Sequence, residues 1–300
     1  MIDFDRIEPE FDRIIPREPH FEWMPTDCIK GEGPVWDPAA GWFLWSDMVG
    51  NKIYRWVPGE GVSVFMDPSN HSNGLTLDPQ GRLTAAGYGS RNIWRREHDG
   101  TITELVTHYE GTRINGANDI VTRSDGSIYW TESTGGILHV GMSEPGYDVQ
   151  PYFDERPIFL LRPDGSMVPT TYDLEGPNGL AFSPDESRLY IDDIRRRQIR
   201  VYDVAADGTL SNGALFYQDT IDDTGNPDGM KVDVEGNVYC KASGGVHVIN
   251  PEGKLLGRIL VDPASNLAWG DPDWQTLFIV GGPLVFRVRT EIPGIAVGQR

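Results

Sequence analysis

Short apolar runs separated by turn residues recur along the whole chain. The clearest example is an apolar run at 33–36, a turn at 37–41 that contains Asp, Pro and Gly, and a second run at 42–46. The runs are rich in Val, Ile, Leu, Tyr and Trp, and Gly and Pro interrupt them too often for long helices. This pattern predicts many short antiparallel strands joined by tight turns.

The same unit, a polar residue followed by a short strand, a turn and further strands, occurs six times. The residues that lead the six units are Glu32, Asn73, Asn118, Asn178, Asp228 and Asn266. They lie 41, 45, 60, 50 and 38 residues apart, a spacing that suits four short strands per unit. We therefore predict an all-β fold, a six-bladed β-propeller with four antiparallel strands per blade. A β-sandwich or barrel with similar hairpins is the alternative.

The N-terminal region is expected to close the ring. Residues 21–28 precede the first unit and can supply the outer strand of the sixth blade, which would join the two ends of the chain. Residues 1–20 form a lead segment, and 21–300 form a single propeller domain. The third unit is longer than the others after its second strand, so 134–156 is predicted to be a lid over the channel, since loops of this length are usually functional.

Composition and charge narrow the classes of partner. The net charge of −19 repels phosphate backbones and anionic lipid headgroups, so neither nucleic acid nor a membrane is an expected partner. No signal peptide is evident in 1–20 and no apolar stretch is long enough to cross a membrane, which favours a cytoplasmic location. Cys28 and Cys240 are far apart in the sequence and are expected to be buried thiols.

The leading residues are candidates for a metal site. The first strand of each propeller blade lines the central channel, so these six residues should converge at one end of it, here called the mouth. All six carry side-chain oxygens, and two carboxylates among them would repel each other unless a cation or a proton lay between them. Oxygen ligands favour Ca²⁺, with Mg²⁺, Mn²⁺ or Zn²⁺ as alternatives.

Second strands run back towards the mouth, and their ends offer candidates for substrate binding. These candidates are Tyr88, Glu132 and Asp193, and His71 can line the same pocket because it lies close to Asn73. The alternative for Glu132 and Asp193 is a solvated loop acid or a residue of a turn at the strand end, and a lone His near a turn is more often structural. No Gly-x-Ser-x-Gly motif is present and the histidines are dispersed, so a serine triad is not expected.

Five motifs point to one family. They are the segments at 31–36 (GEGPVW), 72–75 (SNGL), 118–119 (ND), 176–180 (GPNGL) and 227–230 (PDGM). Together they resemble the SMP-30/gluconolactonase family, over about residues 28–288 and in the family's order. The resemblance implies a six-bladed propeller that hydrolyses sugar lactones, with Glu32, Asn178 and Asp228 as metal ligands and Asn118 beside the metal, in contact with substrate.

Two departures from the family pattern leave the substrate open. Many gluconolactonase-like members have Asp-Pro-Pro-Tyr where this chain has Glu-Ser-Thr-Gly-Gly at 132–136. Regucalcin-like members have an Arg two residues before the substrate Asn, and this chain has Gly116 there.

The leading hypothesis is metal-dependent hydrolysis of a small lactone. The cation would polarise the ring carbonyl, and Asp228 is the expected general base, with Glu132 or Asp193 as second choices. Asn118 and Asn73 would face the substrate. Two alternatives stay open at this stage: a phosphotriesterase-type hydrolase on the same metal site, and a non-catalytic calcium-binding propeller.

Overall fold

Strands account for nearly all the regular structure in a computed structural model that describes residues 3–134 and 154–298. Before the first blade come β1 (Asp3–Arg6), the 3₁₀ helix η1 (Pro9–Arg13) and β2 (Phe21–Pro25). The first blade contains β3 (Gly31–Asp37), β4 (Trp42–Asp47), β5 (Lys52–Val57) and β6 (Gly61–Met66). The second blade contains β7 (Ser72–Leu77), β8 (Leu83–Gly87), β9 (Asn92–Arg96) and β10 (Ile102–Val106).

The remaining four blades repeat this arrangement. A two-stranded ribbon, β11 (His108–Tyr109) and β12 (Thr112–Arg113), precedes the third blade. The third blade contains β13 (Gly116–Thr122), β14 (Ile128–Ser133), β15 (Ile158–Leu161) and β16 (Met167–Thr171). The fourth contains β17 (Pro177–Phe182), β18 (Arg188–Asp193), β19 (Gln198–Val204) and β20 (Leu210–Gln218). The fifth contains β21 (Met230–Val232), β22 (Val238–Ala242), β23 (Gly245–Ile249) and β24 (Leu255–Leu260). The sixth contains β25 (Asn266–Gly270), β26 (Thr276–Val280) and β27 (Leu284–Arg289).

The six sheets form a closed ring around a central channel. The inner strands β3, β7, β13, β17, β21 and β25 each pack against the inner strands of the two neighbouring blades, and β25 packs against β3. Among the described residues, consecutive strands of each blade pair as antiparallel hairpins, and β1 and β2 also pair antiparallel with strands far along the chain. The predicted six-bladed propeller with four antiparallel strands per blade is confirmed.

The N-terminal region ties two blades together. Strand β2 is the outer strand of the sixth blade, where Trp23 pairs with Phe286, so the predicted ring closure is confirmed. Strand β1 adds a fifth strand to the fifth blade through pairing with β24, which sequence patterns did not predict. Between them, the fully buried Phe11 packs against the backbone of Gly257. Residues 3–25 therefore hold the fifth and sixth blades side by side.

Local turn chemistry explains why the first hairpin of most blades forms. In each case an aspartate at the turn accepts hydrogen bonds from backbone N–H groups two to four residues further on. These aspartates are Asp37, Asp78, Asp125, Asp185 and Asp233. This Asx-type capping fixes the reversal locally, before the blade packs against its neighbours.

The hydrophobic core lies between adjacent blades. Between the first and sixth blades the rings of Phe43 and Phe278 stack with centroids 4.3 Å apart. Six such apolar clusters, one per blade interface, bury the aromatic and branched side chains of the strands. Cys28 and Cys240 lie buried as free thiols, as predicted.

The end of the channel opposite the leading residues is closed by the C-terminal segment. Gly294 forms a β-bridge with Asp233, and Ile295 and Val297 line a largely apolar cavity of about 70 Å³ there, together with Trp269.

In the described part of the chain, no helix has the length and apolar character needed to cross a membrane. Most of the predicted lid at 134–156 lies outside the described residues.

Candidate functional site

β-Bulges orient the side chains of four leading residues towards the channel. The register of the first two strands shifts by one residue just after Glu32, Asn73, Asn118 and Asn178. A bulge bends the inner strand at that point and redirects its side chains, which is a common arrangement beside functional sites. The predicted convergence of these residues therefore has a local backbone cause.

Two carboxylates from different blades face each other at the mouth. Glu32, from the first blade, is buried, and Asp228, from the fifth, is partly exposed. Burial and the nearby Asp228 charge raise the pKa of Glu32, and burial raises the pKa of Asp228. The Lys30 ammonium lies 3.4 Å from Glu32 Oε1 and attracts both carboxylates. The mouth therefore concentrates negative charge in a poorly solvated place.

Amide side chains complete the ring around this pair. Asn178, from the fourth blade, lies beside the Asp228 carboxylate and lowers its pKa. Across the channel, the Asn118 side chain and Ser133 both lie beside the Tyr88 hydroxyl. Burial raises the pKa of Tyr88 to about 12, so the hydroxyl stays neutral. The structure thus brings together Glu32, Asp228, Asn178, Asn118 and Tyr88.

The wall formed by the first and second blades holds two further predicted residues. Asn73 is buried, with its Nδ2 3.6 Å from Met48 Sδ and its Oδ1 without a hydrogen-bond partner among the described residues. His71 is buried beside it, and its Nδ1 lies 2.7 Å from the Met48 carbonyl. Met48 and Tyr88 form a small apolar cluster there. This side of the mouth is therefore more apolar than the opposite side.

Asn266 occupies a different position from the other leading residues. In four blades the first core residue follows two positions after the leading residue, as Leu180 follows Asn178, whereas Leu267 follows Asn266 directly. Asn266 lies buried in β25, and its Nδ2 is 3.5 Å from Glu32 Oε2. A Cβ on Gly229 would lie 2.0 Å from Asn266 Cγ, so the glycine makes room for this side chain.

A second layer of acids lies beneath the mouth. It consists of Asp119, which the sequence did not single out as a site residue, and Asp192, which ends a second strand together with Asp193. The Asp119 carboxylate lies beside the Asn266 side chain, and Asp192 accepts a hydrogen bond from the Gly179 N–H at 3.0 Å. Burial raises the pKa of both carboxyls, and Lys231 is the cation that partly offsets this for Asp119. Asp119 directly follows Asn118, so the repeat frame is the signal that could have identified it.

Glu132 and Asp193 have other partners. Glu132 is fully buried and accepts hydrogen bonds from Trp130 Nε1 at 2.9 Å and the Asn115 N–H at 2.8 Å. Asp193 is also fully buried, and its carboxylate accepts hydrogen bonds from backbone N–H groups of the loops at 175–176 and 195–196. These contacts hold strand ends and loops in place. They give no support to the predicted substrate role of either residue.

The donor set at the mouth fits a hard divalent cation. In the described ranges, no three His, Cys, Asp or Glu side chains come together as a metal cluster, so a cation here would need amide oxygens as well as carboxylates. Those oxygens are present beside two carboxylates that repel each other. Carboxylate and amide oxygens are the ligands that Ca²⁺ and Mg²⁺ prefer.

Comparisons with known proteins show which family the chain resembles. The model of the family described as SMP-30/gluconolactonase/LRE-like region matches residues 30–282. A gluconolactonase of Zymomonas mobilis is 32% identical over 96% of this chain and 86% of its own length. A pentonolactonase of Haloferax volcanii is 25% identical over 85% of this chain and 82% of its own length.

Solved structures give the same result. A gluconolactonase from Xanthomonas campestris superposes with a TM-score of 0.88 at 32% identity, covering 96% of this chain and 95% of that one. A calcium-binding regucalcin from Agrobacterium tumefaciens shares the fold, with a TM-score of 0.71 at 18% identity over 91% of this chain and 95% of that one. The family model spans most of the chain and two relatives exceed 30% identity. The chain therefore belongs to the SMP-30/gluconolactonase family.

Proposed function

We propose that the protein is a metal-dependent lactonase that opens the ring of a sugar lactone or a related small lactone. The observation that carries the proposal is the pair of carboxylates, Glu32 and Asp228, that face each other at the mouth with amide side chains around them. Relatives named as a gluconolactonase or a pentonolactonase match this chain over most of their length, and they support the reaction class.

Glu32, Asn178 and Asp228 would hold one divalent cation, with Ca²⁺ as the first choice. A cation bound there would supply Lewis-acid polarisation of the lactone carbonyl. The mutual repulsion of the two carboxylates and the amide of Asn178 beside them support this set. The calcium-binding relative with the same fold supports the choice of ion.

The chain's own residues position the substrate and move the proton. Asp228 is partly exposed to the channel, so its carboxylate can take the proton of the attacking water. The Tyr88 hydroxyl lies beside the Asn118 side chain, which orients the lactone at the mouth. Asn73 and the apolar cluster of Met48 and Tyr88 would face the less polar side of the lactone ring.

An Asp228→Asn variant tests the assignment. Its kcat for lactone hydrolysis should fall about 10²–10⁴-fold, because removal of a general base typically costs that much. The measurement is proton release on a panel of aldonolactones, with chelated protein to which Ca²⁺, Mg²⁺, Mn²⁺ or Zn²⁺ is returned. Asp203→Asn is the matched control, because Asp203 is exposed on β19 and hydrogen-bonds to Asn212.

Two results would count against the proposal. One is an Asp228→Asn variant that hydrolyses lactones at the rate of the unaltered protein. The other is a metal-loaded preparation that hydrolyses no lactone of the panel, whether it cleaves phosphotriesters or only binds calcium.

A further inference from the structure

Cationic side chains stand around the mouth of a strongly acidic protein. The chain has 45 acidic and 26 basic residues, yet Lys241, Arg156 and Arg195 meet no carboxylate within ion-pair distance in the described part of the chain. All three lie at strand ends or in loops beside the mouth. Their location therefore needs an explanation.

Lys241 lies on the fifth-blade side of the mouth. It stands near the end of β22, and its Nζ donates a hydrogen bond to the Asn226 carbonyl at 3.0 Å, two residues before Asp228. It also attracts the Asp228 carboxylate electrostatically. Its ammonium is therefore close to the candidate site and only partly covered.

Arg156 and Arg195 lie together on the fourth-blade side. Arg195 Cγ is 3.0 Å from where a Cβ on Gly176 would be, and Gly176 is two residues before Asn178. Arg156 donates to the Glu175 carbonyl at 3.2 Å and to Thr134 Oγ1 at 3.1 Å. Burial and the Arg195 charge lower the pKa of Arg156, which shows that the two guanidinium groups repel each other.

The acidic groups nearby do not neutralise these cations. The Glu175 carboxylate is paired with Arg196 at 2.9 Å, and Asp193 is occupied by backbone N–H groups. If Glu32 and Asp228 share a divalent cation, their two charges are balanced by it. Lys241, Arg156 and Arg195 then leave a positive field on one side of the mouth, opposite the apolar wall of Met48 and Tyr88.

We propose that the lactone carries an anionic substituent, a carboxylate or a phosphate, which is recognised by Lys241 and the Arg156–Arg195 pair. This inference rests on the proposed lactonase function and names its substrate class. Guanidinium groups bind carboxylate and phosphate with paired hydrogen bonds, and an anion between two adjacent guanidiniums relieves their repulsion. The apolar wall on the other side leaves the uncharged part of the ring to face Met48 and Tyr88.

A different use of the same cations would be to stabilise the carboxylate that every lactone releases on hydrolysis. In that case the cations would act equally on charged and uncharged lactones. The two explanations therefore differ in the selectivity between substrates, and not in the rate alone.

The test compares three lactones with the same type of sugar ring: an uncharged aldonolactone, an aldarolactone with a free carboxylate, and an aldonolactone phosphate. The quantity measured is kcat/KM for each, on the metal-loaded protein. We expect at least one anionic lactone to be preferred over the uncharged one about tenfold or more, and the preference to fall with added salt, because salt screens exposed charges. Comparison of kcat/KM for the aldarolactone and for the aldonolactone phosphate shows whether the preferred substituent is a carboxylate or a phosphate.

Lys241→Gln and Arg195→Gln are the test variants. Each should lower the ratio of kcat/KM for the anionic over the uncharged lactone about five- to tenfold, mainly through KM. Lys254→Gln is the matched control, because it removes the same charge from an exposed lysine that pairs with Glu8, far along the chain from the mouth. Its ratio should stay within twofold of the unaltered protein. Lys30 is unsuitable for the test because it contacts Glu32.

The outcomes separate this inference from the proposed function. Efficient hydrolysis of uncharged lactones with no preference for anionic ones, or variants that leave the ratio unchanged, would overturn the inference and keep the lactonase. Equal losses on all three lactones would assign the cations to the released carboxylate and would also overturn it. Absence of hydrolysis of every lactone would overturn the function and the inference together.

Discussion

Glu132 and Asp228 are both acidic residues near strand ends, but their surroundings differ. Asp228 is partly exposed to the channel and contacts an amide from the neighbouring blade. Glu132 is sealed between the second and third blades and receives two N–H donors from its own blade. Burial raises the pKa of Glu132 to about 7. The same chemical group therefore lies at the candidate site in one place and holds a strand end in the other.

A Glu132→Gln variant should change how stability depends on pH. The carboxyl has a folded-state pKa of about 7 against an ordinary value of 4.5, so its protonated form is favoured by folding. Its contribution is fully present below pH ~4.5 and is lost as pH rises through ~7, about 3 kcal/mol in total. Between pH 5 and 8 the free energy of unfolding of the unaltered protein should therefore fall relative to that of the variant.

Denaturant unfolding at several pH values measures this difference. The exposed Glu60→Gln is the matched control, and its free-energy difference from the unaltered protein should not change across the same range. A Glu132→Gln difference that is also independent of pH would contradict the burial argument.

Residue type alone could predict the ring of oxygens but not these environments. The repeat frame identified Glu32, Asn118, Asn178 and Asp228, and the structure brings their side chains to one mouth. The repeat frame could not distinguish the environment of Asp192 from that of Asp193, because both residues end the same strand. Only the alternation of faces along the strand and the packing of the loops distinguish them. Contacts between blades are not visible in local sequence.

At the scale of the elements, the hairpins were predictable and the outermost pairing was not. The first turns are fixed by aspartates that cap backbone N–H groups within four residues, so a local motif suffices. Strand β1 pairs with β24, far along the chain, and no local motif signals such a partner. Asn266 also lies one residue closer to the first core residue of its strand than Asn178 does, because β25 lacks the bulge found in β17, and the repeat pattern does not show this difference.

The close approach of neighbouring inner strands leads to a prediction at Gly33. This residue has φ +49°, and a Cβ there would lie 2.0 Å from the Asn73 carbonyl oxygen of the next blade. Gly33→Ala should therefore combine the cost of a left-handed backbone with a clash against rigid backbone, at least ~3 kcal/mol in the free energy of unfolding.

Gly41→Ala is the matched control for Gly33→Ala. Gly41 also has a positive φ, +70°, but a Cβ there would meet no atom within 4 Å. Its substitution should cost only about 1–2 kcal/mol, the backbone part. Equal losses for the two variants in denaturant unfolding would show that the strands do not approach as closely as described.

At the scale of the whole molecule, the channel has two dissimilar ends. The mouth is lined by carboxylates, amides and cations, whereas the opposite end is apolar and covered by the segment at 291–298. Substrate is therefore expected to reach the site from the mouth only. The two ends should respond differently to substitution.

An Ile295→Ser and Val297→Ser double variant tests this separation. It should lower the free energy of unfolding by about 1–3 kcal/mol, because both side chains line the apolar cavity, and leave KM for lactones within twofold. Val64→Ser with Ile102→Ser is the control, because these side chains are 46% and 44% exposed, and should cost less. A rise in KM as large as that of Lys241→Gln or Arg195→Gln would contradict the view that the end of the channel opposite the mouth is closed.

Ring closure also sets the order in which the protein can be completed. Trp23 pairs with Phe286, near opposite ends of the chain, so the sixth blade cannot be finished until almost the whole polypeptide has been synthesised. Glu32 belongs to the first blade and Asp228 to the fifth, and their carboxylates face each other only across a closed ring. Pairings between such distant segments form slowly, since the chain entropy of closing the loop is lost before the contact is gained. The mouth is thus among the last parts of the molecule to form, and a nascent chain that lacks its final blade has all four candidate residues Glu32, Asn118, Asn178 and Asp228 but no assembled site.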